Sequence, residues 1–244
     1  MTDKTLESSL KVRDELTAEV KALSTPRQIA FLCCCCERLA PNYRAYCIDE
    51  GVGDAELLDR SLDLLWGIVR GKKFAMKTVR ALLEEIAASP VDEDRRSSFL
   101  GLAQDALSAV MFTLEFVLDN SDSRIREVIR WCDETVSEWI VMTSGFDPFH
   151  PGDDIVELAE VSFKSLKAAN NAYLQWICDH PMARAERRWR RDNVAELSRM
   201  QTAAGSATWH ALRQRARRVG IQPFIRALGP IRSNGQTHYG DTLL

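Results

Sequence analysis

The chain has 244 residues, 45% of them hydrophobic and 27% charged, the profile of an ordinary soluble globular protein with a real core. Its length leaves one or two domains open, and the scarcity of Gly (12) and Pro (8) argues against a turn-rich β fold. The net charge of −3 conceals an asymmetry: residues 1–180 hold 20 Lys and Arg against 31 Asp and Glu, whereas residues 181–244 hold 12 Arg, no Lys and only 4 acids.

Leu6, Leu10, Leu16, Val20 and Leu23 recur near helical spacing, which predicts a first amphipathic helix over 4–23. The charges of MTDKTLESSLKVRDEL interrupt any signal-peptide core, so a cytoplasmic home is expected. Thr25, Pro26 and Gln28 supply a cap, a proline at the first helical position and a capping-box glutamine. The helix they start is expected to run through Cys33–Cys36 and stop at Pro41, with a short helix over 41–50 ending at Gly51. Asp54 caps the next helix, with Leu57, Leu58, Leu62, Leu65 and Ile68 inside and Asp59, Arg60 and Asp63 outside.

A fourth amphipathic helix spans 74–88 and stops before Pro90. The most apolar stretch, within a helix over 94–119, carries Asp105 and Glu115 and is flanked by charge, so it is expected to be a buried helix and not a membrane span. Ile125, Val128, Ile129, Cys132, Val136 and Trp139 share one side of a helix over 122–142. Residues 144–154 (SGFDPFHPGDD) are turn-like, and helices over 153–177, 181–203 and 209–219 follow. From Gly229 the composition is that of a loose tail. With no two-residue alternation and no internal repeat, the prediction is an all-α bundle of about nine or ten helices. It forms a single domain over 1–228, with the Arg-rich helices of 181–219 as a sub-lobe and 229–244 as a flexible tail.

Four consecutive cysteines invite a metal or redox reading. On a helix, however, successive side chains turn by about 100°, so Cys33, Cys34, Cys35 and Cys36 point in four directions and cannot converge on one ion. The remaining three, Cys47, Cys132 and Cys178, are isolated, and an odd count in a cytosolic chain implies no disulfide framework. Packing as small hydrophobes is the expected role.

The segment QIAFLCCCCERLAPNYRAYCIDEGVGD, followed by LLDRSLDLLWG, resembles the opening of the YjaG-like family of bacterial helical proteins, a family of unknown function. The resemblance is carried by Phe31 with the small-residue run, Cys36-Glu37-Arg38, Pro41-Asn42-Tyr43, Gly51, Gly53-Asp54, and Leu62-Asp63 with Trp66. It is strongest over residues 25–70, extends to about 145 through Asp105 and Ala106, and touches Gly220 and Ile221 near the end. It implies an α-helical cytoplasmic protein and brings no assigned chemistry.

Two regions are candidates for binding. Glu37, Arg38, Asn42, Tyr43, Asp54, Asp63 and Asp105 are placed so that they line a ligand pocket, or else pair with one another and cap helix ends. In the basic last quarter, Arg184, Arg187, Arg188 and Arg191 share one helix face at three- and four-residue steps, and Arg213, Arg215, Arg217 and Arg218 sit on the next helix. The partner-binding set is taken as Arg184, Arg187, Arg188, Arg191, Arg213 and Arg217. Guanidinium forks suit carboxylates and phosphates, so an acidic protein surface is favoured as partner, nucleic acid is the alternative, and internal pairing with the acidic first 180 residues is the plainest account. Trp189 is expected to face the core near Leu197 and Met200.

His150, His180, His210 and His238 are scattered, without a Glu-x-x-His or His-Glu-x-x-His spacing. Asp147, His150 and Asp153 offer a weak cation site, with Asp153 better read as a helix cap. No catalytic constellation, cofactor or metal is expected. The expected function is non-enzymatic protein–protein binding of an adaptor or immunity type, with nucleic-acid binding or a ligand site at Glu37, Arg38 and Asp105 as alternatives.

Overall fold

The structure, a computed structural model, describes residues 4–89, 99–144, 177–200 and 205–218, with side chains for all of these except 4–10 and 143–144. The described residues form eight helices and no strand: α1 (Lys4–Lys21), α2 (Thr25–Glu50), α3 (Ala55–Val69), α4 (Met76–Ala87), α5 (Leu100–Asp119), α6 (Asp122–Ser144), α7 (Pro181–Arg199) and α8 (Ser206–Arg218). Residues 177–179 are also helical. The fold is all-α. The helix expected over 153–177, the loop after Ser144 with Asp147, His150 and Asp153, and the tail from Gly229 lie outside the described residues.

Helix α2 is the axis of the bundle. From Gln28 to Tyr46 every side chain is buried except Pro41 and Arg44, because α3, α5, α6, α7 and α8 all pack on it. A helix enclosed in this way has no polar face, which is why an amphipathic stripe is missing from its sequence. The cysteine run follows from the same geometry. Cys36 Sγ lies 3.2 Å from Thr113 Oγ1 on α5, Cys35 meets Cys132 on α6, and Cys34 meets Asn193 on α7. Small side chains at four successive positions let several helices approach one turn of α2 closely. All four thiols are buried and free, and burial pushes the Cys34 thiol up to about 12.

Helix α2 does not stop at Pro41 as expected but continues to Glu50. Pro41 cannot donate to the Glu37 carbonyl, a loss of about 3 kcal/mol in a helix interior. Beyond it, buried Tyr43 and Tyr46 stack with ring centroids 6.3 Å apart, and burying such side chains at about 1.5–3 kcal/mol each offsets that loss. The start differs too. Ser24, not Thr25, is the N-cap, without a side-chain cap bond, and Gln28 Nε2 reaches back to the Lys21 carbonyl at 3.0 Å. The end is as expected, with Gly51 left-handed at φ 64°. Asp54 caps α3 by accepting from Leu57 N at 2.9 Å.

Helix α5 is long and apolar enough to cross a membrane by length and composition. Its apolar side lies instead against α2, α4 and α6, with Leu102, Ala103, Ala106, Val110 and Leu114 buried there. The six α6 positions expected on one side are all buried.

Thiol accessibility checks this packing. In a native titration with an aromatic disulfide reagent, only Cys47 and Cys178, which are partly exposed, should react quickly. The five buried thiols should appear only in denaturant. Fast labelling of a third thiol would show that the coat around α2 is looser than described.

Candidate functional site

Two charged residues, Glu37 and Arg38, sit adjacent on the buried axis and turn to different helices. The Glu37 carboxylate accepts from Trp66 Nε1 on α3 at 3.1 Å, from Arg213 Nε on α8 at 2.6 Å, and from Arg217 Nε at 2.8 Å. Arg213 and Arg217 are one helical turn apart, so both reach the same carboxylate. Arg213 also places Nη2 2.6 Å from Asp63 Oδ1. Burial works against the Arg213 charge, but Glu37 and Asp63 outweigh it and hold the guanidinium protonated.

Arg38 faces α7 instead. It pairs with buried Glu186 and lies 4.1 Å from the centroid of the Trp189 ring. Glu186 Oε1 is 3.7 Å from Arg190 Nε, and Arg190 pairs in turn with Asp133 on α6. Asp133 also accepts from Arg13 on α1 at 3.2 Å. A chain of alternating charges thus links α2, α7, α6 and α1 through the core. Trp189 is partly buried against that core and serves as the platform for Arg38.

The remaining candidates lie elsewhere. Asp105 is on α5, where it accepts from Thr135 Oγ1 at 2.7 Å. Burial pushes its carboxyl up to about 7, partly opposed by Thr135, while Glu138 and Glu134 raise it further. Glu138 lies over α5, where a Cβ on Gly101 would sit 2.6 Å from its carboxylate oxygens. Tyr43 Oη accepts from Asp54 N and bonds Ser89 Oγ, both at 3.0 Å. Asn42 is fully buried, and neither side-chain polar atom has a hydrogen-bond partner among the described residues. The seven candidate pocket residues therefore do not converge. Glu37 and Asp63 share an open cleft of about 420 Å³ with Pro41, Arg44, Asp59 and Arg217, whereas Arg38 is turned to α7 and Asp105 to α6. Among the described residues, no three Cys, His, Asp or Glu side chains gather in a way that holds a metal.

The arginines divide similarly. Arg213 is buried on Glu37, and Arg217, half-exposed, is tied to it. Both are drawn onto Glu37, the internal pairing that was the plainest account of them in the sequence, because α8 packs on α2 and α3. Arg184, Arg188 and Arg191 are exposed on α7 and Arg187 is partly so. Arg187 donates to the Cys178 carbonyl, and Arg191 lies 3.7 Å from Glu15. No ion pair joins Arg184 or Arg188 to another described residue.

Sequence reasoning missed Glu186, Arg190 and Asp133. The signal was present: Met182, Ala183, Glu186, Arg190, Asn193, Val194 and Leu197 fall at helical spacing and form the buried stripe of α7. Two charges inside that stripe had to be compensated internally. Arg44 and Asp59, which complete the cleft as an ion pair, carried no signal beyond ordinary surface charge.

The chain belongs to the DUF416 family, described as "Protein of unknown function (DUF416)", which matches residues 15–222. The protein YjaG of Escherichia coli (strain K12), described as uncharacterized, is 33% identical over 55 residues, 22% of this chain and 28% of that protein. YjaG of Salmonella typhimurium (strain LT2) is 27% identical over 126 residues, 48% of this chain and 64% of that protein. The matched stretches thus span less than two thirds of the length of these relatives. The crystal structure of a DUF416 family protein from Shewanella baltica OS155 aligns with a TM-score of 0.48 and 23% identity, over 78% of this chain and 95% of that one.

Two substitutions test the buried charges. Glu186→Ala removes the carboxylate that Arg38 and Arg190 share and should lower stability by about 3–5 kcal/mol in urea unfolding; a loss below about 1 kcal/mol would mean the guanidiniums are hydrated. Asp105 binds its proton more tightly folded than unfolded, so its contribution to stability falls as pH rises through about 7. Asp105→Asn should therefore stabilise the protein at pH 8, with an advantage over the parent that shrinks towards pH 5. A difference independent of pH would mean the carboxyl keeps its ordinary affinity for protons.

Proposed function

We propose that the chain is a non-enzymatic binding module of adaptor or immunity type, whose docking surface is the outer face of α7 and whose partner is an acidic protein surface. The observation that supports it is the division of charge on α7. Arg190 on the inner stripe is neutralised by Glu186 and Asp133, while Arg184 and Arg188 stand exposed with no ion pair among the described residues. Guanidinium groups held on a rigid helix suit bidentate pairing with carboxylates. A protein partner is favoured over nucleic acid because Arg213 is committed to Glu37 and Asp63, and Arg215 is paired with Glu196. A reducing, cytoplasmic setting belongs to the same proposal and is supported by seven free cysteines.

The test is capture from native lysate with and without nuclease, identification of what is retained, and titration of the purified partner against Arg184→Glu/Arg188→Glu. A nuclease-resistant protein with an acidic surface should bind the parent and lose at least tenfold in affinity to the double variant. Retained nucleic acid that elutes steeply with salt would favour the alternative reading, and a partner indifferent to the double substitution would remove α7 as the surface.

A further inference from the structure

Along the buried stretch of α2 only two side chains reach the surface, Pro41 and Arg44, and both open into the same cleft. The other walls are Asp59 and Asp63 of α3 and Arg217 of α8, with Glu37 at the base. Its volume of about 420 Å³ falls in the range of small-molecule sites, about 300–1,000 Å³. The walls are charged and carry both signs, which sets the class of occupant.

Arg217 is held by Nε on the buried Glu37 carboxylate, and no described residue takes its two Nη groups. One desolvated carboxylate thus faces two guanidiniums, of which Arg213 is buried and compensated again by Asp63. Arg217, with its side chain 47% exposed, is the guanidinium with donors left over at the cleft, and its anchor fixes it before any ligand arrives. Opposite it stand Asp63, 67% exposed, and Asp59, 48% exposed and paired with Arg44. The partly exposed Asp59–Arg44 pair is worth at most about 1 kcal/mol, so a ligand can exchange with it at little cost, and Asp63 engages Arg213 through Oδ1 alone. A plain dianion would be repelled by the two aspartates, and a plain cation by Arg217 and Arg44.

We propose that the cleft between α2, α3 and α8 binds a small zwitterion of the α-amino acid type, its carboxylate on Arg217 and its ammonium on Asp59 and Asp63. The cleft shares no residue with the exposed face of α7, so this proposal and the partner reading stand or fall separately.

Thermal unfolding of the full chain with each proteinogenic amino acid at about 10 mM tests it, with succinate and inorganic phosphate as plain anions. At least one amino acid should raise Tm by roughly 2–4 °C while neither anion does. Calorimetric titration with that amino acid should show at least a tenfold loss of affinity in Arg217→Gln and in Asp59→Asn/Asp63→Asn. The two aspartates are substantially exposed and Asp63→Asn keeps an oxygen that accepts from Arg213, so the second variant keeps its fold even if the first does not. No shift with any amino acid would overturn the proposal. An equal shift with phosphate or succinate would reduce the site to an anion contact, and affinity unchanged in the aspartate variant would remove the zwitterion.

Discussion

A helix surrounded on every side has nowhere to put a charge except against another charge. That constraint on α2 governs the rest of the molecule. Its interior positions are filled with Cys, Ala, Leu and aromatic side chains, and the two ionised residues among them, Glu37 and Arg38, require counter-charges from whichever helices cover them. Helix α8 provides two arginines for Glu37, and α7 provides Glu186 for Arg38. Two of the twelve arginines in the last quarter of the chain, Arg213 and Arg217, are the complement of the axis they cover. Leaving either charge uncompensated in such a place would cost several kcal/mol.

The same arrangement separates what holds the bundle together from what is offered outward. The inner stripe of α7 continues the alternating network, and its outer face is where exposed arginine remains. On α8 the balance is reversed, since two of its arginines point inward to Glu37. The cleft sits at the one interruption in the coat of α2, where Pro41 and Arg44 surface and where α8 leaves a guanidinium half in water.

How much of this was legible beforehand depends on whether a residue's role is set locally. Fold class, the four directions of Cys33–Cys36, the Asp54 cap and the Gly51 stop follow from turn geometry and capping, which are short-range. The continuation of α2 through Pro41 was not legible, because local preference opposes it and burial of Tyr43 and Tyr46 across the bundle overrides it. The scattering of the candidate pocket has the same origin. Glu37 and Arg38 are neighbours in sequence, yet a 100° turn sends them to different helices. Their partners lie 176 and 148 residues away, beyond the reach of any spacing rule. Glu186 and Arg190 could have been found by treating the apolar positions from Met182 to Leu197 as one stripe and noting which charges interrupt it.

The distance in sequence between the axis and its counter-charges also has a temporal side. A ribosome adds roughly 5–20 residues per second, so α2 emerges many seconds before Glu186, Arg213 and Arg217 exist. During that interval the first helices can gather around α2 but cannot exclude water from Glu37 and Arg38. Final drying of the interior must wait until the C-terminal arginine helices have been made, and a chain stopped short of them would present its own axis to the solvent.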